Sequence, residues 1–280
     1  MLIRKSEVKK LSDDVRRIID GQDIDLRDHR EGVWGILKND IHTLASLKNE
    51  QVDALQHERD SLADTLANIS HQLKTPLTSL MIMTDLLESA LATEQPSAEK
   101  QAEFLTNIMT GLTRMEWLVS SLLKMAKLDA GAVIFSPDSM PADALAQLAL
   151  EPLQILLDVK NQTVELACDT VLRCDRRWTS EALTNVIKNA SEYSPEGGVL
   201  RIASGTNPIC AWISVTDSGA GIRSAQLPQL FQRFVGSRSD AGYGIGLPLA
   251  LAILRAQNGD IEVEGGGNGV GATFTLKLYR

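Results

Sequence analysis

The sequence contains no run approaching the roughly 18 uninterrupted apolar residues that a membrane-spanning helix needs, and its N-terminus lacks the basic-then-apolar layout of a signal peptide. The chain as given therefore reads as soluble and cytoplasmic. Basic residues are not in excess: 28 Lys and Arg stand against 36 Asp and Glu, for a net charge of −8. That excludes a nucleic-acid backbone as the main ligand, because binding on that scale needs clustered Lys and Arg, and any phosphate site must be local. Cysteine is scarce. Cys168, Cys174 and Cys210 form an odd set without C-x-x-C spacing, which argues against a disulfide framework and against a zinc site. The first 66 residues hold no proline and glycine only at Gly21, Gly32 and Gly35; dense with charge, they read as solvated helix.

What is present fits a multi-domain chain of α and α+β parts, and 280 residues suffice for about two domains. Leu55, Leu62 and Ile69, with Leu66, Leu73, Leu80 and Leu87 on the neighbouring column, recur every seven residues as a helix-packing seam does. Residues 92–98 carry the polar side chains and the proline of a turn. After them Leu105, Ile108, Leu112, Met115, Val119, Leu122 and Ala126 repeat at spacings of four and three. The spacing predicts an antiparallel helical hairpin. A lone hairpin leaves an apolar stripe uncovered, so pairing of two chains into a dimeric antiparallel four-helix bundle is expected.

Composition changes after Gly131. Most of the twenty glycines fall after Glu196, and strand-like runs appear at 199–203, 209–216, 261–263 and 272–278. Helical stretches lie at 143–159, 179–192 and 247–257. Mixed sheet and helices predict an α/β sandwich as the second domain.

Five segments carry chemistry. NISHQLKTPLTSL, Asn68 to Leu80, sets His71 on the first hairpin helix ahead of an irregularity expected at Pro76. Because Ile69 and Leu73 lie on the seam, His71 should face solvent as a nucleophile available near neutral pH. TNVIKNASEYS, Thr184 to Ser194, puts Asn185 and Asn189 on one helix face, where neutral carboxamide oxygens can ligate Mg²⁺ without repelling phosphates. VTDSGAGI, Val215 to Ile222, runs a strand into Asp217, a carboxylate able to accept from an exocyclic amine, with Gly219 and Gly221 allowing close approach of a ring. AGYGIGLPLA, Ala241 to Ala250, places Gly242, Gly244 and Gly246 at a helix N-terminus suited to phosphate oxygens. Between the last two, LFQRFVGSRSDAG reads as a mobile lid with Phe231 and Phe234 as anchors and Arg233 and Arg238 able to reach a triphosphate. Each segment alone also has an ordinary reading, as an exposed histidine, a solvated asparagine pair, a turn, a hinge or a surface loop.

In order and spacing, these segments together resemble the histidine kinase family over about residues 50 to 280. NISHQLKTPLTSL resembles its phosphoacceptor box, TNVIKNASEYS its asparagine box, DSGAG and GYGIGL its glycine boxes, FQRF its phenylalanine box, and GNGVGATF, Gly267 to Phe274, its closing glycine motif. The resemblance implies an N-terminal signal-transmitting helical segment over 1–52, a dimerisation and phosphotransfer hairpin over 53–131, and a Bergerat-type ATP-binding domain over 132–280. It implies ATP and Mg as cofactors and His71 as the residue phosphorylated. Asn189 would be the Mg²⁺ ligand with Asn185 beside it, Tyr193 an adenine-pocket ring and Asp217 the amine acceptor. Gly219, Gly221, Ile222, Phe231, Gly242, Gly244, Ile245, Gly246, Leu247 and Thr273 would shape the pocket and lid. The implied partners are a second copy of the chain and the receiver domain of a response regulator, with membrane contact only through an anchor upstream of this chain. The segment DIDLRDHREG loosely resembles the transmitting helices that follow a membrane span.

Two departures bear on mechanism. After the phosphoacceptor the family usually has an acid, but here stands Gln72, which can orient the imidazole without taking its proton. Before Tyr193 the family usually has a basic residue, but here stands Glu192, which removes a phosphate contact and adds a like charge. Both motivate a rival reading as a catalytically weak pseudokinase or a phosphatase scaffold. Thr75 fits the family position that orients water for dephosphorylating the partner; equally, it reads as a helical threonine bonding its own backbone.

Overall fold

The computed structural model describes residues 5–19, 33–91, 97–235, 244–266 and 271–280. By compactness the chain divides into two units, residues 1–70 and 71–280. The first holds α1 (Lys5–Ile19) and the N-terminal part of α2 (Val33–Leu91). Charge runs through both, as expected of solvated helix, and Leu44, Leu47 and Leu55 of α2 stay exposed.

Helix α2 continues into the second unit and pairs with α3 (Ala98–Asp129), which Ser97 caps by accepting from the Lys100 N–H. The close point is Gly111 of α3, where a Cβ would lie 2.9 Å from the Leu80 side chain. Leu80 and Gly111 stand at similar distances from the turn, so the helices run antiparallel as a hairpin. The irregularity expected at Pro76 is absent: the helix passes through it unbroken. Proline removes one backbone donor there, and its ring crowds the carbonyl of Gln72, a local cost that the continuing helix bears.

Beyond α3 a five-stranded mixed sheet forms in the order β2 (Thr163–Ala167), β4 (Val199–Thr206), β5 (Cys210–Thr216), β7 (Ala272–Tyr279), β6 (Gly259–Gly265). The β2–β4 pair is parallel and the others antiparallel. Alternation sets its faces: Ala272, Phe274, Leu276 and Leu278 of β7 are buried while Thr273, Thr275 and Lys277 point away. Helices α4 (Ala142–Leu150), α6 (Arg176–Tyr193) and α7 (Gly246–Arg255) supply the opposing apolar layer through Leu145, Leu183, Ile187 and Ile253, among others. This is the α/β sandwich. A short ribbon of β1 (Asp138–Pro141) and β3 (Val171–Cys174), and a short helix α5 (Gln154–Val159) after a 3-10 turn, complete the layers.

Strands β1, β2 and β3 were not among the strands expected. Each has only four or five residues, and edge strand β2 is mostly exposed, so no buried alternation marks it. The cysteines are free thiols. Burial pushes the Cys168 and Cys174 thiols above their ordinary value.

Helix α3 is not confined to the hairpin: its Leu118, Met125 and Leu128 lie in the same core as the sheet and α7. Leu118 is fully buried. Replacing it with alanine is expected to destabilise the folded chain by about 3 kcal/mol in a urea melt, and a loss under about 1 kcal/mol would show that α3 is not part of this core.

Candidate functional site

Helix α6 is the spine of the site. It starts where Asp175 accepts the N–H groups of Arg177 (3.0 Å) and Trp178 (3.1 Å), and it stops where Ser194, preceding Pro195, turns extended at φ −76° and ψ 146°. Asn185 and Asn189 share a face. Asn185 is buried and donates to the Glu181 carbonyl at 2.9 Å, with its oxygen against Gly246 at the start of α7. Asn189 is half-buried, and no hydrogen bond to its side chain is formed among the described residues. Tyr193 is exposed.

Asp217 follows β5 and is 7% exposed. One oxygen, Oδ1, accepts the N–H groups of Gly219 (2.8 Å) and Ala272 (3.0 Å). No described residue bonds Oδ2, and that oxygen is not sealed from solvent. The carboxylate is thus fixed by one oxygen and open at the other. Gly271 makes the approach of β7 to it feasible: a Cβ there would fall 1.8 Å from the Asp217 carbonyl oxygen. Thr273 lies one strand over, its hydroxyl 2.9 Å from that of Thr216.

Gly221 and Ile222 continue the loop, Ile222 packing against the core. Phe231 and Phe234 also pack there, and the Phe234 N–H donates to the Gly244 carbonyl at 3.0 Å. Gly244, buried Ile245, Gly246 and buried Leu247 lead into α7. Arg238 and Gly242 lie outside the described residues. Arg233 differs from expectation: its Nη2 is 2.9 Å from both carboxylate oxygens of Asp129 at the end of α3, so it is engaged with the hairpin rather than aimed at a triphosphate.

On α2, His71 is exposed, Gln72 half-buried and Thr75 exposed. The Thr75 hydroxyl donates to the His71 carbonyl at 3.2 Å, which is the backbone-bonding reading of that threonine. No hydrogen bond or ion pair among the described residues joins His71 to Asp217 or the asparagines. The structure therefore brings the α6, β5 and α7 residues into one site.

Residues 174–280 match the family model described as histidine kinase-, DNA gyrase B- and HSP90-like ATPase, and residues 61–131 match that of the His Kinase A (phospho-acceptor) domain. The chain belongs to the sensor histidine kinases. The sensor protein SrrB of Staphylococcus aureus (strain MRSA252) is 30% identical over 237 residues, covering 80% of this chain and 39% of that protein. The chain thus spans about two fifths of the curated relatives it matches. Among solved structures, Acinetobacter baumannii histidine kinase AdeS aligns with a TM-score of 0.60 at 24% identity over 75% of this chain and 97% of that one. Histidine kinase ThkA, solved in complex with the response regulator protein TrrA, aligns at 0.63 and 20% over 83% and 66%. Both likenesses show the fold.

Among sensor kinases the acid at position 192 is a departure, and the structure tempers its effect. Glu192 is half-buried 3.8 Å from the Lys188 ammonium, which also sits 4.9 Å above the ring of Trp117 in α3. Lys160 adds positive charge from the other side while donating to the carbonyls of Ser191 (2.8 Å) and Glu192 (3.3 Å). The like charge expected to repel a nucleotide is therefore met by two lysines. Sequence spacing alone could have found Lys188, four residues before Glu192; Lys160, at the end of α5, and Gly271, just before β7, come from distant parts of the chain.

Burial pushes the Glu192 carboxyl above its ordinary value of 4.5, with Lys188 and Lys160 opposing the shift. The folded chain thus holds the proton more tightly, and stability falls as pH rises from 4.5 through the raised value. Glu192→Gln is expected to melt higher than the parent near neutral pH and to lose that advantage below pH 4.5. A melting difference that does not change with pH would show that Glu192 ionises freely in the folded chain.

Proposed function

We propose that this chain is the catalytic core of a sensor histidine kinase: it binds Mg-ATP in the α6–β5–α7 site, phosphorylates His71, and passes the phosphoryl group to an aspartate on a response regulator. The observation that carries the reading is Asp217, whose carboxylate is locked by two backbone N–H groups on one oxygen and open on the other. That geometry suits acceptance of a hydrogen bond from the adenine amine. Tyr193 would flank the base. The residues present fit a hard cation: Asn189 offers an uncommitted neutral oxygen beside Asn185, the donor type Mg²⁺ takes. When bound, the metal supplies charge neutralisation to the phosphates.

His71 would attack the γ-phosphorus through one ring nitrogen, forming a P–N bond as the bond to ADP breaks, and the imidazole proton would pass to solvent. Its exposure leaves the ring free to receive the phosphoryl group. Gln72 can accept a hydrogen bond from the other nitrogen and hold the ring's orientation, so positioning rather than base strength carries the step. We take the domains to divide near 52/53 and 131/132, with the phosphoacceptor in the middle one.

The partners follow from surface. Leu77, Met81 and Ile82 of α2 and Leu105, Met109 and Leu112 of α3 are exposed, and a second copy of the hairpin would cover them as a four-helix bundle. The receiver domain of a response regulator, the class of partner ThkA is solved with, would dock on the same hairpin. No helix among the described residues is long and apolar enough to cross a membrane. We infer that the chain works in the cytoplasm.

Incubation with γ-labelled ATP and Mg²⁺ is expected to yield an acid-labile phosphoryl label that His71→Ala abolishes and Asn189→Ala reduces by at least about a hundredfold, the scale of losing a transition-state charge partner. Measurable ATP binding without label would favour the pseudokinase or phosphatase reading instead.

A further inference from the structure

We propose that Gln162, which lies in no recognised motif, is a positioning residue for adenine recognition, acting on Asp217 through the C-terminal end of α6. The inference rests on the reading of Asp217 as the acceptor for the base's exocyclic amine. Gln162 sits immediately before β2 and is 7% exposed. Its Nε2 donates to the carbonyls of Ser191 (3.0 Å), Ser194 (3.3 Å) and Pro195 (3.1 Å), while its Oε1 accepts the Ser191 hydroxyl at 2.6 Å. The end of a buried helix presents carbonyls that need donors, and Ser191 presents a hydroxyl that needs an acceptor. A carboxamide supplies both from one side chain, with two N–H donors and a separate oxygen acceptor.

The residues Gln162 holds are the ones on which the Asp217 loop rests. The Ser194 hydroxyl accepts the N–H of Ser218 at 3.1 Å. Ser218 in turn accepts the N–H of Val199 at the start of β4, also at 3.1 Å. Gly219 lies so close to α6 that a Cβ on it would fall 2.6 Å from the Tyr193 carbonyl oxygen. Asp217 is thus followed by two residues registered on Tyr193 and Ser194, and its Oδ1 is itself bonded to the Gly219 N–H. A displacement of the Tyr193–Pro195 segment moves the carboxylate. Hydrogen bonds weaken steeply with misalignment, so the effect falls on the contact made by Oδ2. Lys160 holds the Ser191 and Glu192 carbonyls independently, so loss of Gln162 frees the Ser194–Pro195 end without unravelling α6.

The test is titration calorimetry of Mg-ADP and Mg-IDP, whose base carries an oxygen in place of the amine, against the wild-type chain, Gln162→Leu, Ser194→Ala and the double variant. Wild type is expected to prefer ADP, and each single variant to reduce the ADP-to-IDP preference by about tenfold, the effect of one misaligned buried hydrogen bond. The double variant should be no worse than the weaker single, because the two residues act in series. A merely structural role would lower the melting temperature and leave the ADP-to-IDP ratio unchanged, which would overturn the proposal. If Gln162→Leu fails to fold, Ser194→Ala carries the test, and an unchanged ratio there overturns it equally. A wild-type chain that binds neither nucleotide, or both alike, would instead overturn the assignment of Asp217 and take this inference with it.

Discussion

A helix leaves four N–H groups unpaired at one end and four carbonyls at the other, and α6, packed among α3, α4, α7 and the sheet, cannot give most of them to water. The fold answers with side chains drawn from distant segments. Asp175 takes the first N–H groups and, through its second oxygen, the N–H of Ser136 in the segment leaving α3, at 3.0 Å. Its own N–H donates to Gln257 beyond α7 at 2.7 Å, and Gln257 also bonds Thr179 within α6. At the far end Lys160 and Gln162 take the carbonyls. Satisfying one buried helix therefore ties together the segment after α3, the lead into β2 and the end of α7, and Asn185, Asn189 and Tyr193 inherit their positions from those ties.

The charges follow a related logic. In a chain with a net charge of −8, acids around the α6 site are met by local positive charge. Glu192 is flanked by Lys188 and Lys160. Glu181 pairs with Lys124 of α3, and Arg233 pairs with Asp129 at the same helix's end. Three contacts, from Trp117, Lys124 and Asp129, make α3 an electrostatic and aromatic border of the site as well as a hairpin helix. The reactive group is treated differently: His71 is exposed on an uninterrupted helix, with its ring uncommitted to any partner in the site.

Periodicity made much of this legible. The recurrence of leucines in α2 and α3, the amphipathic run of α6 and the alternation in β4, β5 and β7 each follow from burial of one face, and a face that must be buried leaves its period in the residues. The short strands β1 and β2 left no such trace, since they exist by pairing and bury little, and β3 alternates with Leu172 and Cys174 inward but is too short, at four residues, for its period to stand out. Pro76 illustrates the opposite case: a local rule predicted an irregularity, yet α2 is helical on both sides of it.

The sequence by itself determined the family, the order of the two folded parts and the residue types at each chemical position, because motif spacing along a helix or at a strand end is a local property. Only the tertiary structure decided which of those side chains are free to act. It committed Arg233 to Asp129, neutralised Glu192 with a lysine from before β2, and let β7 reach Asp217 at Gly271. It also placed Gln162 beneath the end of α6. Each of these joins residues far apart in the chain, where only the folded chain brings charge and hydrogen-bonding groups within reach of one another.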